Sequence, residues 1–228
     1  EGNPITTAIT STSGDIICFA AGTRDSLVVT GLGASTTGAG KSVILIDSGA
    51  LISNSRFSNL VLTASGGNGS SAMKLTGTGQ LISSRFEGII AAMGAANTTS
   101  AILHFTPATG GIINSNWFGS LLVQDNTAGF STLAGIYISP TGTGQVEGNT
   151  FDGVTGAVLN SGLYFEKGAA ANGLTSNNRL ANVWDGDRTA AVTPNITISD
   201  HAYFTVLDNI FIDGSSPGSP PISISALA

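Results

Sequence analysis

The chain has 228 residues, a net charge of −6, 10% charged and 41% hydrophobic residues, 31 Gly and seven Pro. That hydrophobic content suffices for a core, so the Gly and Ser richness does not signal disorder, which requires low hydrophobicity and high net charge. Eight scattered Lys and Arg exclude an electrostatic grip on nucleic acid, and no apolar run approaches the roughly 18 residues of a membrane span.

Residues 1–14, EGNPITTAITSTSG, read as extended and polar, without the basic and apolar blocks of a signal peptide. The run IICFA then opens a first short coil near Asp15. Its lone Cys18 has no disulfide partner and is expected to be a small buried hydrophobe. GAGKS, from Gly38 to Ser42, suggests a phosphate loop, but Ser35 stands where the first Gly belongs and no strand-loop-helix context follows. It reads as a Gly-rich turn.

From there the chain repeats itself. LISNSRFSNL, QLISSRFEGI, IINSNWFGSL, QVEGNTFDGV, LTSNNRLANV and VLDNIFIDG align on a column of Phe57, Phe86, Phe118, Phe151, Leu180 and Phe211. Half of the ten Phe residues thus share one phase of a period of about 30 residues, the range of solenoid coils. Two residues earlier stand Ser55, Ser84, Asn116, Asn149, Asn178 and Asn209, small polar residues suited to a stacked corner. Apolar runs precede each corner (SVILI, SAMKL, AILHF, GIYI, GLYF, NITI), and shorter ones follow each Phe (NLVL, GIIA, SLLV, GVTGAV, NVW, FIDG). Gly and β-branched residues interrupt every window long enough for a helix. The expected architecture is therefore all-β, a parallel β-helix of about seven coils with roughly 30 residues each, rising about 34 Å. A β-sandwich would not need the same residue at the same phase six times.

The stacked I-x-x-N-x-F pattern of VEGNTF, INSNWF and LDNIF resembles the pectate-lyase-like right-handed parallel β-helix superfamily, which includes bacteriophage tailspike and tail-fibre shafts. The resemblance covers about Asp15 to Gly214 and implies a single-stranded right-handed β-helix at 15–214, between an extended segment at 1–14 and a Pro-rich hinge with a C-terminal strand at 215–228. Lyases, hydrolases, epimerases, adhesins and tail fibres share this architecture, so it speaks for fold and not for activity.

Inward-pointing Phe residues and stacked Asn side chains are read as scaffold. The residues just before the Phe column should face outward. Arg56, Arg85, Trp117 and Arg179 there make a basic and aromatic stripe, a candidate binding surface for polysaccharide, with Arg85 and Trp117 placed for a cation–π contact. A polysaccharide-cleaving enzyme would need two carboxylates about 5 to 9.5 Å apart. The candidates are Glu87, Glu147, Asp152, Asp185 and Asp187, with Glu87 and Asp152 two coils apart. No cofactor or metal site is expected. DGDRT, Asp185 to Thr189, has Ala190 where a calcium loop needs Gly, and His104 and His201 lack ligand partners at metal spacing. Asn68, Asn97 and Asn195 begin sequons that carry little weight in so Asn-rich a chain.

At the C-terminus, SSPGSPPISISALA alternates apolar and small residues from Ile222 onward, as one strand would. Ile222, Ile224 and Leu227 are expected to contact another subunit. The overall expectation is an extracellular or virion-surface structural or adhesive subunit that assembles into a homo-oligomer, fibre or spike. The alternatives are a tailspike-type glycosidase or lyase and a monomeric carbohydrate-binding module.

Overall fold

The computed structural model describes residues 9–95, 99–125, 135–157, 163–166, 174–181, 184–185, 196–199, 205–207, 210–211 and 222–225. Every regular element among them is a strand, and every strand pairing is parallel. Successive strands fall on three sheets in a fixed order. Ser42–Ile46 lies on sheet I, Ala50–Ser53 on sheet II and Arg56–Ala64 on sheet III. The next turn repeats this with Ser71–Gly77, Gln80–Ile82 and Arg85–Met93. The sheets hold eight, six and eleven strands. The result is a parallel β-solenoid with roughly 29 residues per turn, described most fully over about five turns. Strands from Leu163–Glu166 to Ile222–Ser225 prolong its sheets. Two segments outside 15–214 also belong to those sheets: Ile9–Ser11 pairs with Gly33–Thr36, and Ile222–Ser225 with Ile196–Ser199.

The core is a set of stacked columns. Phe57, Phe86, Phe118 and Phe151 lie in register and fully buried. Their successive centroids are 4.7, 4.9 and 4.7 Å apart with near-parallel planes, so ring stacking follows the strand spacing. Ile44, Met73, Leu103 and Ile136 fill the matching column on sheet I, and Ile52, Leu81, Ile113 and Val146 that on sheet II.

Two expectations change. Leu180 follows Phe151, but Val206 and not Phe211 follows Leu180, and Phe211 is in register with Asp185. The NIF triplet copies the local pattern of the corner, yet the sheet has already resumed at Thr205–Leu207, so Phe211 falls further along the turn. Asn209 lies outside the described residues. Cys18 is exposed, because Phe19 takes the buried phase of Ile17–Phe19 and alternation turns its neighbour outward.

The corner between sheets II and III explains the Ser/Asn column. The left-handed backbone precedes that column by one residue, at Asn54, Ser83, Ser115, Gly148 and Asn177, and also occurs at Ser26 in the first turn, all with φ between 47° and 64°. Small polar residues and Gly tolerate that region. From Asn54 onward the next residue is buried as a rung of a continuous ladder. The amide of Asn116 donates to Asn149 Oδ1 and that of Asn149 to Asn178 Oδ1, each at 3.0 Å. The backbone N–H groups of Asn116 and Asn149 donate to the same oxygens, and the amides also donate to the carbonyls of Leu81, Ile113 and Val146. Below them, Ser55 N–H donates to Ser84 Oγ and Ser84 N–H to Asn116 Oδ1. Each side chain thus satisfies a buried N–H of the turn before it.

A second left-handed column, Gly31, Asn59, Gly88, Ser120 and Gly153, bends sheet III two residues after the Phe column. There the pairing skips one residue, from Glu87 and Ser58 to Ile89 and Leu60.

Asn149→Ala removes the acceptor of two buried N–H donors. It should cost about 2–5 kcal/mol in urea unfolding, while Thr143→Ala on the exposed turn should stay within about 0.5 kcal/mol. Equal stability of the two variants would mean that the ladder does not hold the corner.

Candidate functional site

The outer face of sheet III carries the densest array of functional side chains. Arg56, Arg85, Trp117, Thr150 and Arg179 stand in register along it, beside a second column of Ser58, Glu87, Gly119 and Asp152. In-register pairing sets Arg56 beside Arg85, which like charge disfavours. Glu87 resolves this by accepting from both. Arg56 Nε reaches its Oε1 at 2.8 Å, with Arg56 Nη2 on the same oxygen, and Arg85 Nε reaches Oε2 at 2.8 Å. Hydrogen bonds from Arg85 and then Arg56 hold the Glu87 carboxyl below the usual range. A glycosidic general acid needs the opposite shift, toward a proton retained near neutral pH.

The Arg85 guanidinium also lies 4.1 Å from the centroid of the Trp117 ring, the expected cation–π geometry. A Cβ on Gly119 would overlap the six-membered ring of Trp117, so the indole lies across Gly119. Gly119 is the residue between Glu87 and Asp152 in the register. The indole therefore lies over the register position that separates Glu87 from Asp152. The other acids are not gathered there. Glu147 lies on sheet II, accepting from Asn177 Nδ2 at 3.2 Å. The Asp185 backbone is in register with Gly156, beyond the bend from Asp152. Asp187 lies outside the described residues.

Across the bend, the outer face turns apolar. Val61, Ile90 and Leu122 are in register, with Val61 and Ile90 exposed. A shallow open groove lined by Ser120, Leu121, Leu122 and Gly153 lies at the bend.

A second polar cluster, on the outer face of sheet I, was missed in the sequence because no residue type repeats in it. Lys74, His104 and Tyr137 stand in register on three successive turns. His104 Nδ1 accepts from Ala101 N–H at 3.1 Å and lies 3.0 Å from Ser100 Oγ, which lies 2.7 Å from Ser71 Oγ. The backbone donor leaves the ring proton on Nε2. Burial and then the Lys74 charge lower the His104 pKa to about 4. Burial likewise lowers that of Lys74, whose ammonium donates to Gly69 O at 3.2 Å. Among the described residues, no group of three or more His, Cys, Asp and Glu is placed to hold a metal ion.

Two outcomes are expected. Gly119→Ala should displace the indole, shifting Trp117 emission to longer wavelength and breaking its contact with Arg85; an unchanged spectrum would mean the ring does not rest on Gly119. For His104 the unfolded chain takes up the proton first, near pH 6.5, so stability should fall as pH drops from about 6.5 to about 4 and level off below. His104→Asn should flatten that segment of a stability-against-pH curve measured by urea unfolding.

No family model matches the sequence, and no curated protein matches it. Among solved structures, the chain is similar to the catalytic domain of a GH87 alpha-1,3-glucanase in complex with tetrasaccharides, at 10% identity and a TM-score of 0.22. The match covers 97% of this chain and 62% of the glucanase chain.

Proposed function

We propose that the protein is an extracellular or virion-surface shaft subunit that stacks end to end with further copies of itself. The observation that carries this is the face of the first turn. Among the described residues, Ile17–Phe19, Gly22–Asp25 and Val28–Thr30 each pair on one side only. Ile9 and Val28, in the strands at that end, are 54% and 65% exposed. An unpaired strand edge templates the addition of another strand, and the edge of a solenoid fits another turn of the same cross-section. At the far end of sheet I lies Ile222–Ser225, whose Ile222 and Ile224 are in register with Ile196 and Ile198; Leu227 lies outside the described residues. Joining unlike ends is a heterologous contact, which propagates into a filament.

A second reading, glycan recognition, rests on the bend in sheet III. The Arg56–Glu87–Arg85–Trp117 network lies before the bend and the apolar row of Val61, Ile90 and Leu122 after it, with a groove at the bend lined by Ser120, Leu121, Leu122 and Gly153. Polar groups for hydroxyls beside an apolar wall for a sugar face are the ingredients of a carbohydrate site.

Sedimentation and electron microscopy should show axial oligomers that grow with concentration. Val28→Glu should abolish them while leaving thermal unfolding unchanged, since Val28 is largely exposed. A wild-type monomer at every concentration would overturn the proposal. So would release of reducing ends from bacterial polysaccharide that is lost in Asp152→Asn, which would make the protein an enzyme.

A further inference from the structure

We infer that the core holds a binding site, enclosed between two successive turns, for a single small apolar molecule of the size of xenon or methane. The site lies inside the solenoid and rests on neither reading of function given above.

In-register stacking fills a core only where successive turns carry side chains of matched size. On sheet III, Leu62, Ala91 and Val123 share one buried column, and Ala91 is shorter than both of its neighbours. On sheet I the column of Ile46, Leu75, Phe105 and Ile138 has the opposite irregularity, one ring among aliphatic side chains. That ring rests against Phe118, with centroids 5.8 Å apart and planes inclined by 38°. Beside this contact the Phe stack is at its loosest. Phe86 and Phe118 are 4.9 Å apart and inclined by 14°, whereas the steps on either side are 4.7 Å with inclinations of 6° and 5°. A short side chain and a tilted ring thus leave space at the same step.

The space is a cavity lined by Met73, Phe86, Ile89 and Ala91 of one turn and by Leu103, Phe118 and Leu121 of the next, all of them buried. It leaves the centre of a water-sized sphere about 10 Å³ to move in. The room therefore exceeds one water molecule and falls far short of the roughly 150 Å³ that admits benzene. Water needs about two to four polar partners to enter such a space. The lining side chains carry no nitrogen or oxygen, the Met73 thioether is only a weak acceptor, and parallel pairing of Arg85–Met93 with the strands on both sides occupies the backbone groups there. An apolar occupant meets the reverse situation. Two aromatic rings and a thioether are polarisable neighbours, and an atom placed among them restores dispersion contacts that the void forfeits. Xenon, small and itself polarisable, fits both the size and the lining.

The test is a xenon titration of the whole chain followed by its methyl resonances, with helium at equal pressure as the control for pressure itself. Expected are saturable shifts of the Met73, Ile89, Ala91, Leu103 and Leu121 methyl signals, with those of Ile52 and Val146 on sheet II unmoved. Ala91→Val places two further carbons in the cavity and should abolish the saturable shifts. Leu121→Ala widens the cavity and should strengthen xenon binding at least threefold; this variant decides the matter if Ala91→Val folds poorly. Shifts that rise linearly with xenon pressure, shifts of Ile52 and Val146 as large as those of Ala91, saturable shifts that persist in a folded Ala91→Val, or unchanged affinity in Leu121→Ala would each overturn the inference.

Discussion

Parallel pairing in register, at a strand spacing of about 4.8 Å, governs this protein. It puts each side chain directly over its equivalent on the next turn. For apolar groups that repetition is favourable, and the Phe centroids, 4.7 to 4.9 Å apart, take the spacing of the strands themselves. For charges it is costly, because a repeated charge meets its own kind. Only 10% of the residues are charged, and where two Arg do stack, at Arg56 and Arg85, one Glu is drawn between them. Where Lys74 meets His104, the imidazole stays neutral. The unusual composition is thus a result of the stacking.

Legibility in the sequence followed the same rule. Phe57, Phe86, Phe118 and Phe151 were found because an inward column repeats its residue type. The ladder from Ser55 to Asn178 was found because hydrogen bonding between turns restricts the rung to small polar residues. The two left-handed columns were not, since Gly, Asn and Ser all tolerate that backbone and share no letter. Phe211 was misplaced because a three-residue likeness says nothing about how far the sheet has advanced. On the outer faces, Arg85 over Trp117 was legible from one known spacing. The indole lying across Gly119 was not, because it depends on a side-chain direction that alternation does not specify. The Lys74–His104–Tyr137 row was invisible for a related reason: solvent-facing positions are under no pressure to repeat.

The two outer faces therefore differ in kind. On sheet III the described ionic and aromatic groups largely satisfy one another, so the network stiffens the surface as much as it displays it. On sheet I the Ala101 N–H and the Ser100 hydroxyl hold one side of the imidazole, and the Lys74 ammonium donates to Gly69 O. Scaffold and surface chemistry separate in this architecture, because the inward half of each strand settles the fold and the outward half is released from it.

The corner that carries the ladder has one further property. From the inward residue of sheet II to the Phe column the count is always five, from 52 to 57, 81 to 86, 113 to 118 and 146 to 151. The corner from sheet I to sheet II is not so strict: it takes six residues from 46 to 52 and eight from 105 to 113. One edge of the prism is thus a rigid spine, and the others absorb differences in length. Insertions, and with them new surface chemistry, can accumulate along two edges of the solenoid while the third keeps every turn aligned.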